Sequence, residues 1–167
     1  IVEDDEITVD WTGSSPQVEG GINPSFPFTK AAAYAALRSV MSAEIPNCHG
    51  FSNPITVVAP KGCILNPHFP APCGARGITG YRMIDCLFGA LAKAVPDRVT
   101  ADNNGGSTLP TIAGYRNGKA FVFCETFMGT WGATSAHDGQ SGVPHMGANQ
   151  SNVSIEMIES DYPIRID

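Results

Sequence analysis

Residues 83–95 read MIDCLFGALAKAV and contain the clearest helical signal of the chain. Their apolar side chains recur at helical spacing and therefore share one face of an α-helix; they are Met83, Ile84, Leu87, Phe88, Leu91 and Val95. Thr79 stands where an N-cap is expected, and Pro96 would end the helix. Because this apolar face has to be covered, the pattern predicts a sheet packed against it.

A second helix is predicted from the alanine-rich stretch KAAAYAALRSVM at residues 30–41. Alanine has the highest helix propensity, Thr29 is a favourable N-cap, and Pro46 lies beyond the end. Small side chains let a neighbouring element approach closely, so we expect this helix to be buried.

Strands are predicted on both sides of these helices. Residues 6–11 alternate apolar and polar side chains, and residues 55–59 form a β-branched run between two prolines. Asn117 and Gly118 form a typical hairpin turn between apolar stretches. The length of 167 residues fits one domain of roughly 150 residues. We therefore predict a single α+β domain, residues 1–167, with two main helices packed on a mixed or antiparallel sheet and long Gly/Pro-rich loops.

Composition excludes some classes of function. The formal charge is -6, with 10 Lys and Arg against 16 Asp and Glu, which disfavours nucleic acid and anionic membranes as partners. Charged residues make up 16% where about 25% is usual, so part of the surface is expected to be covered by another protein. The 5 cysteines show no close pairing, which favours a reducing compartment and a cytoplasmic location.

Motifs for nucleotides and metals are missing from the sequence. No glycine-rich phosphate-binding loop occurs, so ATP, if it is used, has to bind elsewhere. The 4 histidines show no metal-binding spacing. Three possible ligands lie in one loop, namely His137, Asp138 and His145, but the favoured interpretation is a polar loop bonded to its own backbone.

Cysteine chemistry is a weaker hypothesis than cysteine burial. Cys73 is the best-placed thiol, because neighbouring glycines and Arg76 could activate it. A buried apolar role is nevertheless favoured for Cys73, and also for Cys86 in the helix and Cys124 in the hairpin.

Polar groups concentrate in two loops. Asn103 and Asn104, followed by glycines, could hold a carbonyl group or an oxyanion, or could simply form a turn. The segment from His137 to His145 offers acid, base or orienting groups, and a solvated loop remains the alternative. The candidate site residues are Asp138, His145, His137, Asn103, Asn104 and Gly139.

An ordered series of motifs resembles the hydantoinase B/oxoprolinase family. The matching segments follow one another along nearly the whole chain; they include DWTGSSPQ at 10–17, GIN at 21–23, APKGCILNP at 59–67, VPDRV at 95–99 and YP at 162–163. The resemblance implies a B component of an ATP-dependent cyclic amide hydrolase of the hydantoinase or 5-oxoprolinase type.

The resemblance also implies a division of labour between subunits. A hydantoinase A-like partner binds ATP and phosphorylates the amide oxygen of a small cyclic amide, and the B component directs water to the activated carbon. The protein is thus expected to be a hetero-oligomer. The missing phosphate loop agrees with this expectation.

Length is the main departure from the family. Its B components are roughly three times as long as this chain, a multi-domain size. Their metal-binding motif lies upstream of the matching region, so a divalent metal is expected in the N-terminal part of the subunit and none within this chain. We expect a central part of a longer subunit, inactive alone. A ketone carboxylase subunit and a non-catalytic subunit-contact domain remain alternatives.

Overall fold

The computed structural model describes the backbone of residues 1–167 and every side chain except that of Ser107. It confirms the predicted α+β class. The helices are α1 Phe26–Val40, α2 His49–Ser52, α3 Arg76–Leu91 and α4 Ile155–Asp161. The strands are β1 Val2–Glu3, β2 Glu6–Asp10, β3 Ile55–Val58, β4 Ser107–Thr108, β5 Thr111–Arg116, β6 Lys119–Cys124, β7 Phe127–Met128, β8 Thr130–Trp131 and β9 Gln140–Ser141. Among the described residues, no helix is both long and apolar enough to cross a bilayer.

The main sheet is mixed, which is one of the two arrangements predicted. Its strand order is β1-β2-β3, with β2 antiparallel to β1 and parallel to β3. Parallel neighbours need a long crossover, and α1 lies within the segment that provides it. Val9 and Val57 pair in the sheet and are buried together with Ala33 and Leu37 of α1. The apolar face of α3 packs against Ala32 and Ala36 of α1, around Met83.

The predicted N-caps at Thr29 and Thr79 are wrong. Both helices begin three residues earlier than these threonines, at Phe26 and Arg76. The Thr29 hydroxyl donates to the Leu65 carbonyl at 2.6 Å, and the Thr79 hydroxyl donates to the Ile22 carbonyl at 2.6 Å. Each hydroxyl thus ties its helix to a distant loop, a partner that local sequence cannot show.

The second half of the chain consists of small sheets and one short helix. Strands β5 and β6 form the predicted hairpin, with Asn117 and Gly118 at φ 51° and 76° in its turn. Ile158 of helix α4 is buried and lines a pocket together with Phe123 of β6, and the Tyr162 ring lies 5.2 Å from the Phe123 ring. Strands β8 and β9 pair and leave residues 132–139 as the tip between them.

Candidate functional site

A buried carboxylate forms the centre of the polar site. Asp85 lies on the apolar face of α3 and is 3% exposed. Its Oδ1 accepts hydrogen bonds from Asn103 Nδ2 at 3.0 Å and from His145 Nε2 at 3.2 Å. Burying a charge is costly unless hydrogen-bond donors surround it, so these two side chains stabilise the carboxylate in its place.

His145 is fully buried, and its tautomer follows from its neighbours. Its Nδ1 accepts the Gly147 backbone N–H at 3.0 Å, so the ring proton is on Nε2 and is donated to Asp85. Burial lowers the pKa of His145, although the negative charge of Asp85 opposes this shift. The imidazole is therefore neutral near pH 7 and serves as a bridge between α3 and its own loop.

Asn103 joins α3 to the segment that follows strand β8. Its side-chain amide donates to Asp85, and its Oδ1 accepts the backbone N–H of Gly132 at 2.9 Å. Its main-chain carbonyl accepts from Arg82 Nη2 at 3.1 Å. Asn103 thus connects the two polar loops of the chain, together with backbone hydrogen bonds from Ala101 N–H to the Ala133 carbonyl at 2.7 Å and from Asn104 N–H to the Thr130 carbonyl at 3.0 Å.

Arg82 closes the network on its solvent side. Its Nη1 lies 3.5 Å from Asp85 Oδ2, and half of the Arg82 side chain is exposed. Asp85 Oδ2 has no hydrogen-bond partner among the described residues. A Cβ atom on Gly105 would lie 2.1 Å from Arg82 Nη2, so the position of the guanidinium requires a glycine there.

The remaining candidate residues lie on the surface. Asn104, His137, Asp138 and Gly139 are exposed. The tip of the β8–β9 hairpin is ordered by Thr134, whose Oγ1 accepts the backbone N–H of His137 at 3.0 Å. The structure therefore brings Asn103 and His145 together and places His137 and Asp138 on a hairpin tip, and their chemical roles stay predictions.

Sequence reasoning missed Asp85 and Arg82. The signal was an acidic side chain inside an apolar helical stripe, with an arginine three residues before it. The predicted burial of Cys86 and Cys124 is wrong, since both are exposed. Asp85 occupies the position that faces the core, and Cys86, the next residue, faces away from it.

An apolar groove of about 390 Å³ lies beside the polar network, between α1 and α3. The Tyr81 ring lines it and lies 4.9 Å from the His145 ring. Its volume is in the range of small-molecule sites, roughly 300–1,000 Å³. The other walls are apolar side chains and glycines, including Phe28, Ala31, Gly77 and Gly80.

Potential metal ligands are scattered among the described residues. Among them, no three His, Cys, Asp or Glu side chains come close enough together to hold one. His145 is already bonded through both ring nitrogens.

Comparisons with known proteins agree on one family. The model of the hydantoinase B/oxoprolinase family matches residues 1–167. The B component of a putative D-/L-hydantoinase of Pseudomonas sp. (strain NS671) is 38% identical over 99% of the chain, and a 5-oxoprolinase of Dictyostelium discoideum is 31% identical over 93%.

A solved structure shares the fold. The ATP-dependent caprolactamase from Pseudomonas jessenii superposes with a TM-score of 0.76 and 28% identity over 97% of the chain. The chain spans 29% of that protein and of the hydantoinase component, and 12% of the 5-oxoprolinase.

Proposed function

The chain belongs to the hydantoinase B/oxoprolinase family, and from this premise we propose that it forms the central part of the hydrolytic subunit of an ATP-dependent cyclic amide hydrolase. The observation that carries the proposal is the fold shared with the ATP-dependent caprolactamase over 97% of the chain. The Pseudomonas relative is named as one subunit of a hydantoinase, which supports assembly with other subunits. Activity, substrate and partner belong to the whole protein, of which residues 1–167 form one region.

The proposal assigns ATP to a hydantoinase A-like partner. The sequence has no phosphate-binding loop, which supports nucleotide binding outside residues 1–167. A divalent metal is assigned to the N-terminal part of the same subunit, as the family resemblance implies. The five free cysteines support a cytoplasmic location.

The candidate residues fall into two groups, those exposed on the surface and those buried beneath it. Asp138 and His137 are exposed at the hairpin tip and can reach a reacting group brought from outside this region. Asn104 and Gly139 are also exposed and offer backbone and amide groups. Asn103 and His145 are buried, and we assign them the orientation of these loops.

The reaction is tested with the complete protein and its ATP-binding partner. We expect ATP-dependent ring opening of hydantoin, 5-oxoproline or caprolactam, with the product identified by mass spectrometry. A parallel reaction supplies ATP, bicarbonate and a small ketone. Carboxylation without ring opening would refute the hydrolase and establish the carboxylase alternative.

Residue roles are tested in the same complex. Asp138→Ala and His145→Ala are expected to lower turnover while the subunits still assemble. Asp138→Asn is the matched control for shape, since it removes the charge and keeps the size of the side chain. Normal turnover of both alanine variants in an intact complex would remove these residues from catalysis.

A contact role is the second candidate, and the β5–β6 hairpin favours it. On one face of this two-stranded sheet Tyr115 is 80% exposed and Val122 is 61% exposed. Burying exposed apolar side chains is favourable, so another surface that covers this face would stabilise it. Val122→Lys is expected to weaken assembly in size-exclusion chromatography, and Thr111→Lys is the control at the polar end of the same face. Equal assembly of both variants would refute the contact.

A further inference from the structure

We propose that Asp85 is a positioning residue that holds residues 100–106 and 129–147 in one arrangement on α3, an inference that rests on the proposed function. Its Oδ1 accepts the Asn103 amide at 3.0 Å, the Asn103 backbone N–H at 3.4 Å and His145 Nε2 at 3.2 Å. One carboxylate oxygen thus contacts both loops that carry the candidate residues.

Each side chain that donates to Asp85 also accepts a hydrogen bond from a backbone amide. Asn103 Oδ1 accepts the N–H of Gly132, and His145 Nδ1 accepts the N–H of Gly147. These glycines lie on either side of the exposed tip that carries His137 and Asp138. Backbone hydrogen bonds from Ala101 N–H to the Ala133 carbonyl and from Asn104 N–H to the Thr130 carbonyl do not involve Asp85. Removal of the carboxylate is therefore expected to loosen both ends of the tip-bearing segment without detaching them.

Helix packing alone does not require an acid at this position. The neighbours Ile84 and Phe88 on the same face are buried apolar side chains, and a leucine would cover the core without the cost of burying a charge. A carboxylate differs from leucine in accepting several hydrogen bonds at one point. Its acceptor geometry, with Arg82 beside it at 3.5 Å, specifies where the loops lie.

The test uses the complete protein assembled with its partner. Hydrogen exchange is followed by mass spectrometry in peptides that contain Gly132 and Gly147. In Asp85→Ala, both peptides are expected to exchange at least about tenfold faster, because both chains of hydrogen bonds lose their anchor. Asp85→Asn is expected to stay near wild type, since its amide oxygen still accepts from Asn103 and His145.

A control separates this effect from general destabilisation. Thr29→Val in α1 removes the buried hydrogen bond from the Thr29 hydroxyl to the Leu65 carbonyl, at 2.6 Å, and keeps the size of the side chain. It is expected to lower overall stability and to leave exchange in the two loop peptides unchanged. If Asp85→Ala does not fold, Asp85→Leu, which covers the core and accepts no hydrogen bond, takes its place in the same measurement with the same expected result.

Turnover provides the functional readout. Asp85→Ala is expected to lower kcat about tenfold or more while KM for ATP stays unchanged, and Asp85→Asn is expected to recover most of kcat. Unchanged exchange at both glycines in Asp85→Ala would overturn the inference, and so would a wild-type kcat in a variant whose loops exchange faster. A wild-type complex without ring opening would instead refute the proposed function, whereas the exchange results test the anchoring independently.

Discussion

Gly132 is the point where the two polar loops touch backbone to backbone, and its replacement by alanine tests that contact. A Cβ atom there would lie 2.1 Å from the Ala101 carbonyl oxygen and 2.9 Å from that of Asp102. Ordinary carbon contacts need about 3.5 Å, so the segments have to separate by more than about 1 Å. Flexible side chains cannot absorb this shift, because the obstacles are main-chain atoms.

The separation would break the hydrogen bonds that join the segments. Gly132 N–H donates to Asn103 Oδ1 at 2.9 Å, and Ala101 N–H donates to the Ala133 carbonyl at 2.7 Å. A buried hydrogen bond lost in this way costs about 1–3 kcal/mol. We therefore expect Gly132→Ala to lower the free energy of unfolding by about 2–4 kcal/mol.

Urea-induced unfolding measures this loss, with Gly89→Ala as the matched control. Gly89 lies on the exposed side of α3 with no heavy atom within 4 Å of its added Cβ. Alanine there should raise stability by up to about 1 kcal/mol, since it favours the helix. If Gly132→Ala matched or exceeded wild type in stability, the close contact between the loops would be refuted.

Other substitutions test the same packing with different neighbours. Gly105→Ala should displace Arg82 and lower the free energy of unfolding by about 1 kcal/mol. The effect should vanish in an Arg82→Ala background, and a loss that persists there would contradict the clash between the new Cβ and the guanidinium. Gly80→Ala meets the half-buried Phe28 ring at 2.7 Å. The cost of overpacking and the gain in helix propensity should nearly cancel, so the free energy of unfolding should change by less than about 1 kcal/mol, as measured by thermal unfolding. A loss of several kcal/mol would show that the Phe28 ring cannot move. Burial lowers the folded-state pKa of His145 below 6.5, so its stabilising contribution exists above that pH and is lost as the pH falls. His145→Gln should remove this component from the pH dependence of the urea midpoint; an unchanged profile would assign the titration to other groups.

Local patterns predicted the helices and the hairpin because their signals lie within single segments. The stripe around Met83 and the turn at Asn117 need no distant partner to be recognised. The parallel pairing of β2 with β3 joins segments separated by α1, and alternation of apolar residues cannot choose a partner strand.

The candidate site was predicted only in part. Asn103 and His145 stood out by the composition of their loops, but their burial depends on Asp85, which lies 18 and 60 residues away. In a pattern of apolar residues, an aspartate counts as a break in the apolar helix face, so the pattern does not reveal that the acid is buried. Polar residues that stabilise one another across loops become visible only when the chain is folded.

Nucleotide turnover coupled to ring opening tests the central claim most directly. The complete protein and its ATP-binding partner are mixed with a cyclic amide, and ADP and the ring-opened acid are quantified together. The account predicts that both products form in step, and that neither forms when the protein containing residues 1–167 is omitted. Steady ADP formation with an intact ring, or ring opening by the partner alone, would contradict it.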